Sequence, residues 1–581
     1  MADDARDKAA RRRDPKPSAT SRRSFLKSGA AAGVGGAAAL AGLAAQEAQA
    51  QAPPLAGQVR WSREVDVVVI GAGASGLPAA IAARDQGATV LLVEQHFDIG
   101  GIAIMSGGMI HMGGGNRIQK EKGVQDSPDL AFTDWVNAEN GEAKFNDRDL
   151  VRKWADESVP TFEFLTANGL DWDEKFLGGP GDASSVPRQV RPKEWPIRKD
   201  LVAFDQGRNG SGIVRALEQS ARKKGVEILL SHRMTNVVRE GDRRGRVMGA
   251  TFVQVDRNFT PTNQTLNVRA RRGVILCTGG HGNNVEFRRS FDPRLTAEYQ
   301  WHGQTLAPHN ADGAKAAMAI GASMWATANQ TAEAGEAFNK GRIATRDNYI
   351  RGLITPESPI FFRAKASGMN VTDWQNLILV KENGKRFYDE LDSSYDGFFA
   401  HAMAWTGDPA KLNGGGPIWA IFDSEAVKRE KWGTEAPVVD RERGYFFSAD
   451  TLEELAAQMK RNPFQWREMP GTTLRETVER FNTFVDTGID LDFKRRKPTH
   501  KIATPPFYAA WATPSLHDSL SGIRINTKCQ VMDLQADVIP GLYAAGETAG
   551  GFALHGLGRA IVFGRIAGME AAKDGARSTR A

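Results

Sequence analysis

The sequence predicts an α/β fold: a doubly wound, Rossmann-like parallel sheet accompanied by at least one further core. Three observations carry this. At 581 residues the chain is longer than one hydrophobic core can serve, so two or more cores are needed. Between Val65 and Glu94 a β-branched run, a glycine loop, a helix-like stretch and a second apolar run follow in order. The 61 glycines recur where apolar runs end, as backbone does where it must approach something closely.

Residues 1–50 differ in composition from the rest. They hold nine Lys/Arg and five acids, which accounts for four of the six net positive charges; the remaining chain has 66 basic against 64 acidic residues. Ser21-Arg22-Arg23-Ser24-Phe25-Leu26-Lys27 precedes an Ala/Gly/Leu stretch and then Ala48-Gln49-Ala50, small residues that flank a removable site. This resembles a twin-arginine export signal. The stretch Ser28 to Ala45 is too weakly apolar to hold a bilayer well. The resemblance implies the twin-arginine translocase as a partner, export in the folded, cofactor-loaded state, and a periplasmic location. Without that segment the chain is near neutral, and nucleic-acid binding loses its support. Cys277 and Cys529 flank strand-like runs and read as two buried thiols, a disulfide between them staying open. The chain has no C-x-x-C-H, so covalent haem is not expected.

After a linker, 51–62, Val65 to Ile70 reads as a buried parallel strand. In the following Gly71-Ala72-Gly73-Ala74-Ser75-Gly76, Gly71 allows the tight turn and Gly73 lets backbone approach a pyrophosphate at a helix N-terminus. Gly76 permits close helix–strand packing. Leu77 to Gln86 reads as the helix and Ala88 to Val93 as the second strand. Glu94 stands where an acid accepts hydrogen bonds from a ribose, with Gln95 beside it. The acid argues for an unphosphorylated ribose, hence FAD or NAD.

Three more glycine turns follow: Gly100-Gly101 with Ser106-Gly107-Gly108, Thr278-Gly279-Gly280 after the strand-like Arg271 to Cys277, and Gly546-Glu547 after Gly541 to Ala545. Such repeated approaches suit a long, extended ligand. Together with Asp312-Gly313 and Gly384-Lys385-Arg386-Phe387, this order resembles the fumarate reductase and 3-ketosteroid dehydrogenase flavoproteins, from about Glu64 to Ala572. The resemblance implies FAD in a doubly wound domain of the glutathione-reductase type, 63–311 plus 501–577, and an inserted α+β cap (substrate) domain, 312–500. It implies FAD contacts at the positions above and at Val237, Ala560 and Ile561. FAD should be non-covalent, because Gly101 stands where the succinate dehydrogenase branch has its histidine. In the cap, Asp312 to Ile320, Leu452 to Lys460 and Leu474 to Val485 read as helices. Glu227 to Val238 and Val247 to Val255 read as strands of a small sheet beside the flavin domain.

For the chemistry, the resemblance marks three places. Tyr395 stands where fumarate reductases have a proton-delivering arginine and ketosteroid dehydrogenases a tyrosine base. In Ser515 to Gly522, His517 matches the first histidine of a His-His-Thr-Met-Gly-Gly run, and Asp518 replaces the second, a carboxylate ligand in that family. An acid is a poor partner for a carboxylate. His555-Gly556-Leu557-Gly558-Arg559 resembles the fumarate reductase ending, so Arg559 is the candidate for an anionic group of the substrate. Trp325 to Gln330, where fumarate reductases carry another substrate histidine, has none.

The resulting expectation is a periplasmic, FAD-dependent dehydrogenase that removes hydride and proton from a carbon–carbon bond next to a carbonyl. Its substrate would be a ketone or oxo-acid. The alternative is a respiratory reductase of an activated alkene. Either needs an external electron partner, a quinone or a cytochrome. A flavoprotein without catalysis is the reading of another class.

Overall fold

The computed structural model describes residues 53–137, 146–179, 184–196, 209–325, 331–332, 340–346, 354–392, 397–407, 415–552, 554 and 556–575. The twin-arginine motif, Tyr395 and His555 lie outside them.

The chain begins with β1 (Arg63–Ile70), whose last six residues are buried, and passes through the glycine loop into α1 (Gly76–Asp85). Pro78 sits in the first turn of α1, where its missing N–H forfeits no intrahelical bond. Then come β2 (Val90–Val93), β3 (Glu227–Leu229), β4 (His232–Gly241), β5 (Arg244–Val255) and the long β6 (Pro261–Leu276). After α2 (Asp312–Ala319) follow β7 (Ile378–Lys381), β8 (Ile418–Asp423), β9 (Phe446–Ala449), α3 (Leu452–Met459), α4 (Gly471–Thr487) and β10 (Phe507–Trp511). The last part supplies β11 (Ser515–Asp518), β12 (Gln530–Met532), β13 (Val538–Ala544) and α5 (Leu557–Lys573).

The main sheet runs β12-β13-β6-β1-β2-β3, with the β4–β5 hairpin attached through β6. Its centre is parallel: Val67 lies opposite Val90 on one side and Gly273 on the other, and Leu542 lies opposite Val274. Residues before and after the middle segment therefore share one sheet.

One sequence expectation is corrected here. Glu227 to Val238 is two strands, because Ser231 takes a left-handed backbone (φ 58°). The first is a parallel edge strand of the main sheet, beside β2. The second turns away, and its hairpin is no separate sheet, since the 16-residue β6 belongs to both layers.

The middle segment has its own antiparallel sheet, β7-β8-β10-β9, whose last strand in sequence lies beyond residue 500. Its strands are apolar on both faces. Leu379, Ala420, Phe422 and Ala510 enter one core, whereas Val380, Trp419, Ile421 and Trp511 enter another under α3 and α4. Beside this sheet, Arg386 bonds both oxygens of Glu390 (3.0 and 2.7 Å) and Asp490 (2.9 Å), and Arg495 bonds Glu390 (3.0 Å). Burial alone would raise the Glu390 carboxyl, but the two guanidinium groups outweigh it and hold it at about 2. This buried network ties the turn at Glu390 to Asp490 and Arg495.

Candidate functional site

Gly71, Thr278-Gly279 and Gly546 follow β1, β6 and β13 at the carboxyl ends of adjacent parallel strands, where such sheets bind ligands. All four residues line one cleft, about 1190 Å³ counted out to solvent. Small residues are required rather than tolerated there. A Cβ on Gly71 (φ 101°) would lie 2.1 Å from the Cys277 carbonyl oxygen, and one on Gly76 would lie 1.7 Å from that of Gly71. From behind, α5 presses on α1 so closely that Cβ atoms on Gly564 and Gly568 would meet the carbonyl oxygens of Ser75 and Ala79 at 2.2 and 2.1 Å.

Gly73, Ala74, Ser75, Glu94, Gln95, Gly101 and Ser106 also lie on the cleft wall. Glu94 is buried, and burial pushes its carboxyl up. Its Oε2 accepts the Ala72 N–H (2.8 Å) and its Oε1 the His96 N–H (2.9 Å), which aim the side chain from β2 into the cleft. The donor set fits a dinucleotide: a glycine loop opening a helix at one place and a fixed carboxylate at the end of the next strand.

Other predicted residues stand elsewhere. Gly76 packs inside the loop. Val237 is wholly buried on β4, and Ile561 is wholly buried on α5. Gly108 abuts Asn209, Gly280 abuts Ser519 and Glu547, and Gly313 abuts Thr278, so they shape the wall from behind; Gly107 is off the wall too. Asp312 is on the wall, but its carboxylate is tied to the Arg233 guanidinium (2.8 and 3.0 Å). Cys277 lines the cleft, and both thiols are free and buried; burial pushes Cys277 up to about 12 and Cys529 well above the usual thiol value.

At the other end of the cleft, β11 brings in His517 and Asp518, and the start of α5 brings in Gly556, Leu557 and Ala560. The Asp518 Oδ2 accepts the Gly556 N–H at 3.1 Å. Sequence reasoning missed His302, whose ring stacks on His517 with 4.4 Å between centroids. Leu516 O holds it, accepting from its backbone N–H (3.0 Å) and from Nδ1–H (3.1 Å). Also missed were His232, Arg233, Met234, His309 and Asn310 on the wall. No local pattern marks them, because only the long loop before α2 and the turn into β4 carry them inward. Arg559 is buried off the wall. Its Nη1–H donates to Phe552 O (2.7 Å) and its Nη2–H to Ser519 O (3.2 Å), while its buried Nε has no partner among the described residues.

Comparison with known proteins agrees with this geometry. The model of the FAD binding domain family matches residues 66–559. The chain is 30% identical over 529 residues to a fumarate reductase (cytochrome) of Shewanella frigidimarina, covering 88% of this chain and 77% of the relative. It is 28% identical over 553 residues to an acrylate reductase flavoprotein subunit of Shewanella woodyi, covering 93% and 94%. Among solved structures it resembles the open conformation of a flavocytochrome c3 fumarate reductase, with a TM-score of 0.60 and 27% identity over 88% of this chain and 79% of that one. A 3-ketosteroid-Δ4-(5α)-dehydrogenase of Rhodococcus jostii shares the fold, with a TM-score of 0.55 and 24% identity over 90% and 100%.

Proposed function

Because the chain belongs to the FAD binding domain family, we propose that it is an FAD-dependent dehydrogenase that desaturates a carbon–carbon bond next to a carbonyl. The class is that of FAD oxidoreductases acting on CH–CH groups. The direction, and a ketone or oxo-acid substrate, are the finer reading. One observation carries it: the first turn of α5 and the His517-Asp518 strand stand on the same cleft wall as the glycine loop.

Gly71, Gly73 to Ser75, Glu94, Thr278-Gly279 and Gly546 would hold FAD, which when bound would supply a two-electron acceptor for hydride. Tyr395 takes the proton from the carbon beside the carbonyl. Negative charge that develops on the carbonyl oxygen meets the N-terminus of α5, whose backbone N–H groups and dipole favour it. Arg559 adds positive charge behind that turn. With its fork already on two carbonyls, it acts as a fixed field for an anionic substrate rather than as a two-pronged clamp. The His517 ring, stacked on His302, borders the substrate, with Asp518 anchoring the α5 turn. His555, next to Gly556 in sequence, is proposed to act with them.

Domain division and location complete the reading: a flavin domain of 63–311 and 501–577, with β10 joining the inserted cap of 312–500. Periplasmic delivery would follow twin-arginine export, with a quinone or cytochrome as electron partner. Among the described residues no helix is long and apolar enough to cross a membrane. Replacing Arg22-Arg23 with Lys-Lys and fractionating cells tests the route; a processed, periplasmic product from the Lys-Lys variant would refute it.

Anaerobic mixing with cyclic ketones and with oxo-acids tests the chemistry, bleaching of the flavin absorbance being the expected result. A protein that none of them bleaches, yet which oxidises a reduced dye with an unsaturated acid, is the alkene reductase instead. The sequence similarity to fumarate and acrylate reductases favours that second reading.

A further inference from the structure

His309 lies on the cleft wall in the loop before α2, between the turn after β6 and the turn after β13. Its Nδ1 is 3.1 Å from the Gly280 backbone nitrogen, and that N–H can only donate. Nδ1 is therefore the acceptor, and the proton of the neutral ring is on Nε2. The ring is also clamped. The Trp301 ring lies beside it, 5.0 Å between centroids and 32° between planes. Gly279 is packed against it as well: a Cβ there (φ 73°) would lie 2.4 Å from Nε2 and 2.7 Å from Cδ2 and Cε1. Gly279 thus packs flat on the imidazole face at its Nε2 end, where only glycine leaves room, and the in-plane Nε2–H direction is not blocked by it. No hydrogen bond to an acceptor among the described residues uses Nε2–H, although the side chain is only about one-tenth exposed. Glu547, the nearest carboxylate, stands toward Nδ1 (3.6 Å) and also accepts the Ser519 N–H (3.2 Å). A donor fixed in tautomer and orientation, facing a dinucleotide cleft without an acceptor of its own, is built for a ligand atom.

We propose that His309 is a cofactor-binding residue that donates a hydrogen bond from Nε2–H to an acceptor atom of bound FAD. This requires only that the chain binds FAD, not that it desaturates ketones.

Two substitutions separate the ring's two ends. In His309→Asn the side-chain carbonyl can still accept the Gly280 N–H, but the distal donor is lost. In His309→Gln a donor N–H remains at the reach of Nε2. Holoenzyme is diluted and the released flavin is followed by its fluorescence. The Asn variant is expected to weaken FAD binding about tenfold, as for one lost hydrogen bond, and the Gln variant less than about threefold. Unchanged binding in the Asn variant overturns the proposal. Equal weakening by both overturns it too, because His309 would then only pack. Should either variant fold poorly, wild-type protein labelled with 15N-histidine gives an independent answer. The His309 Nε2–H proton is expected to move downfield in the holoenzyme relative to protein stripped of flavin, and no movement overturns the assignment.

Discussion

The two ends of the cleft are built from different materials. The end around Gly71, Gly73 and Gly546 is made of backbone, with side chains excluded by contacts of 1.7–2.7 Å to an added Cβ at Gly71, Gly76 and Gly546. The end around His302, His517, Asp518 and Leu557 is made of side chains held by hydrogen bonds and ring contacts. A backbone site binds whatever has the right length and phosphate pattern, and it admits almost no substitution. A side-chain site can change chemistry by exchanging one residue while the fold persists. That contrast lets a chain keep the architecture of the FAD binding domain family while the chemistry at its side-chain end changes.

Breaking the backbone end should have the largest effect. Gly76→Ala places a methyl 1.7 Å from the Gly71 carbonyl, so the purified protein should carry less than about a tenth of the wild-type flavin, read from absorbance against protein. Breaking the side-chain end should leave flavin in place. Tyr395→Phe should lower kcat by roughly 100-fold or more at normal flavin content, as for loss of a general base; an unchanged rate removes Tyr395 from the mechanism. Arg559→Lys keeps the charge but not both carbonyl bonds. A charge that acts as a field survives that change, so KM for an anionic ketone should shift less than about threefold, whereas Arg559→Met, which removes the charge, should raise it about tenfold and leave KM for a neutral ketone unchanged.

The smallest expected effect sharpens the contrast through pH. Burial first, then the Arg363 charge, lowers the His96 imidazole to about 3; burial, then His309, does the same for His281. Both rings stay neutral in the folded chain while an unfolded histidine takes a proton near 6.5. Between about pH 6.5 and 3 the unfolded chain binds more protons, so stability should fall as pH drops through that window. Melting temperatures from pH 7 to 4 check this, and His96→Phe should flatten the slope.

The same contrast governs what could be read from the sequence. Glycine loops are legible because a missing Cβ is itself the message, so Gly71 to Gly76, Gly279 and Gly546 could be placed before any coordinates. Gly280 and Gly313 carry the same letter for a different reason, making room for Ser519 and Thr278 rather than for a ligand. The histidines 302 and 309 were not legible, since an imidazole has no local pattern and its place depends on a long loop's path. Nor was the Arg233–Asp312 pair, whose members lie on a strand and a helix far apart in sequence. Arg559 was legible as a cation but not in its partners, which are two carbonyls that any sequence would supply. Ser231 hid the break between β3 and β4 because a serine in the left-handed region is not announced by its type.

The contact of α5 with α1 through Gly564 and Gly568 has a consequence for the order of events during synthesis. The glycine loop leaves the ribosome early, but the helix that braces it and the strand that completes its sheet are made hundreds of residues later. Until then α1 has an apolar face open to water and the loop has no wall opposite it. A chain in which α5 has not yet formed is therefore expected to hold a dinucleotide poorly, and a truncated product lacking α5 should emerge colourless.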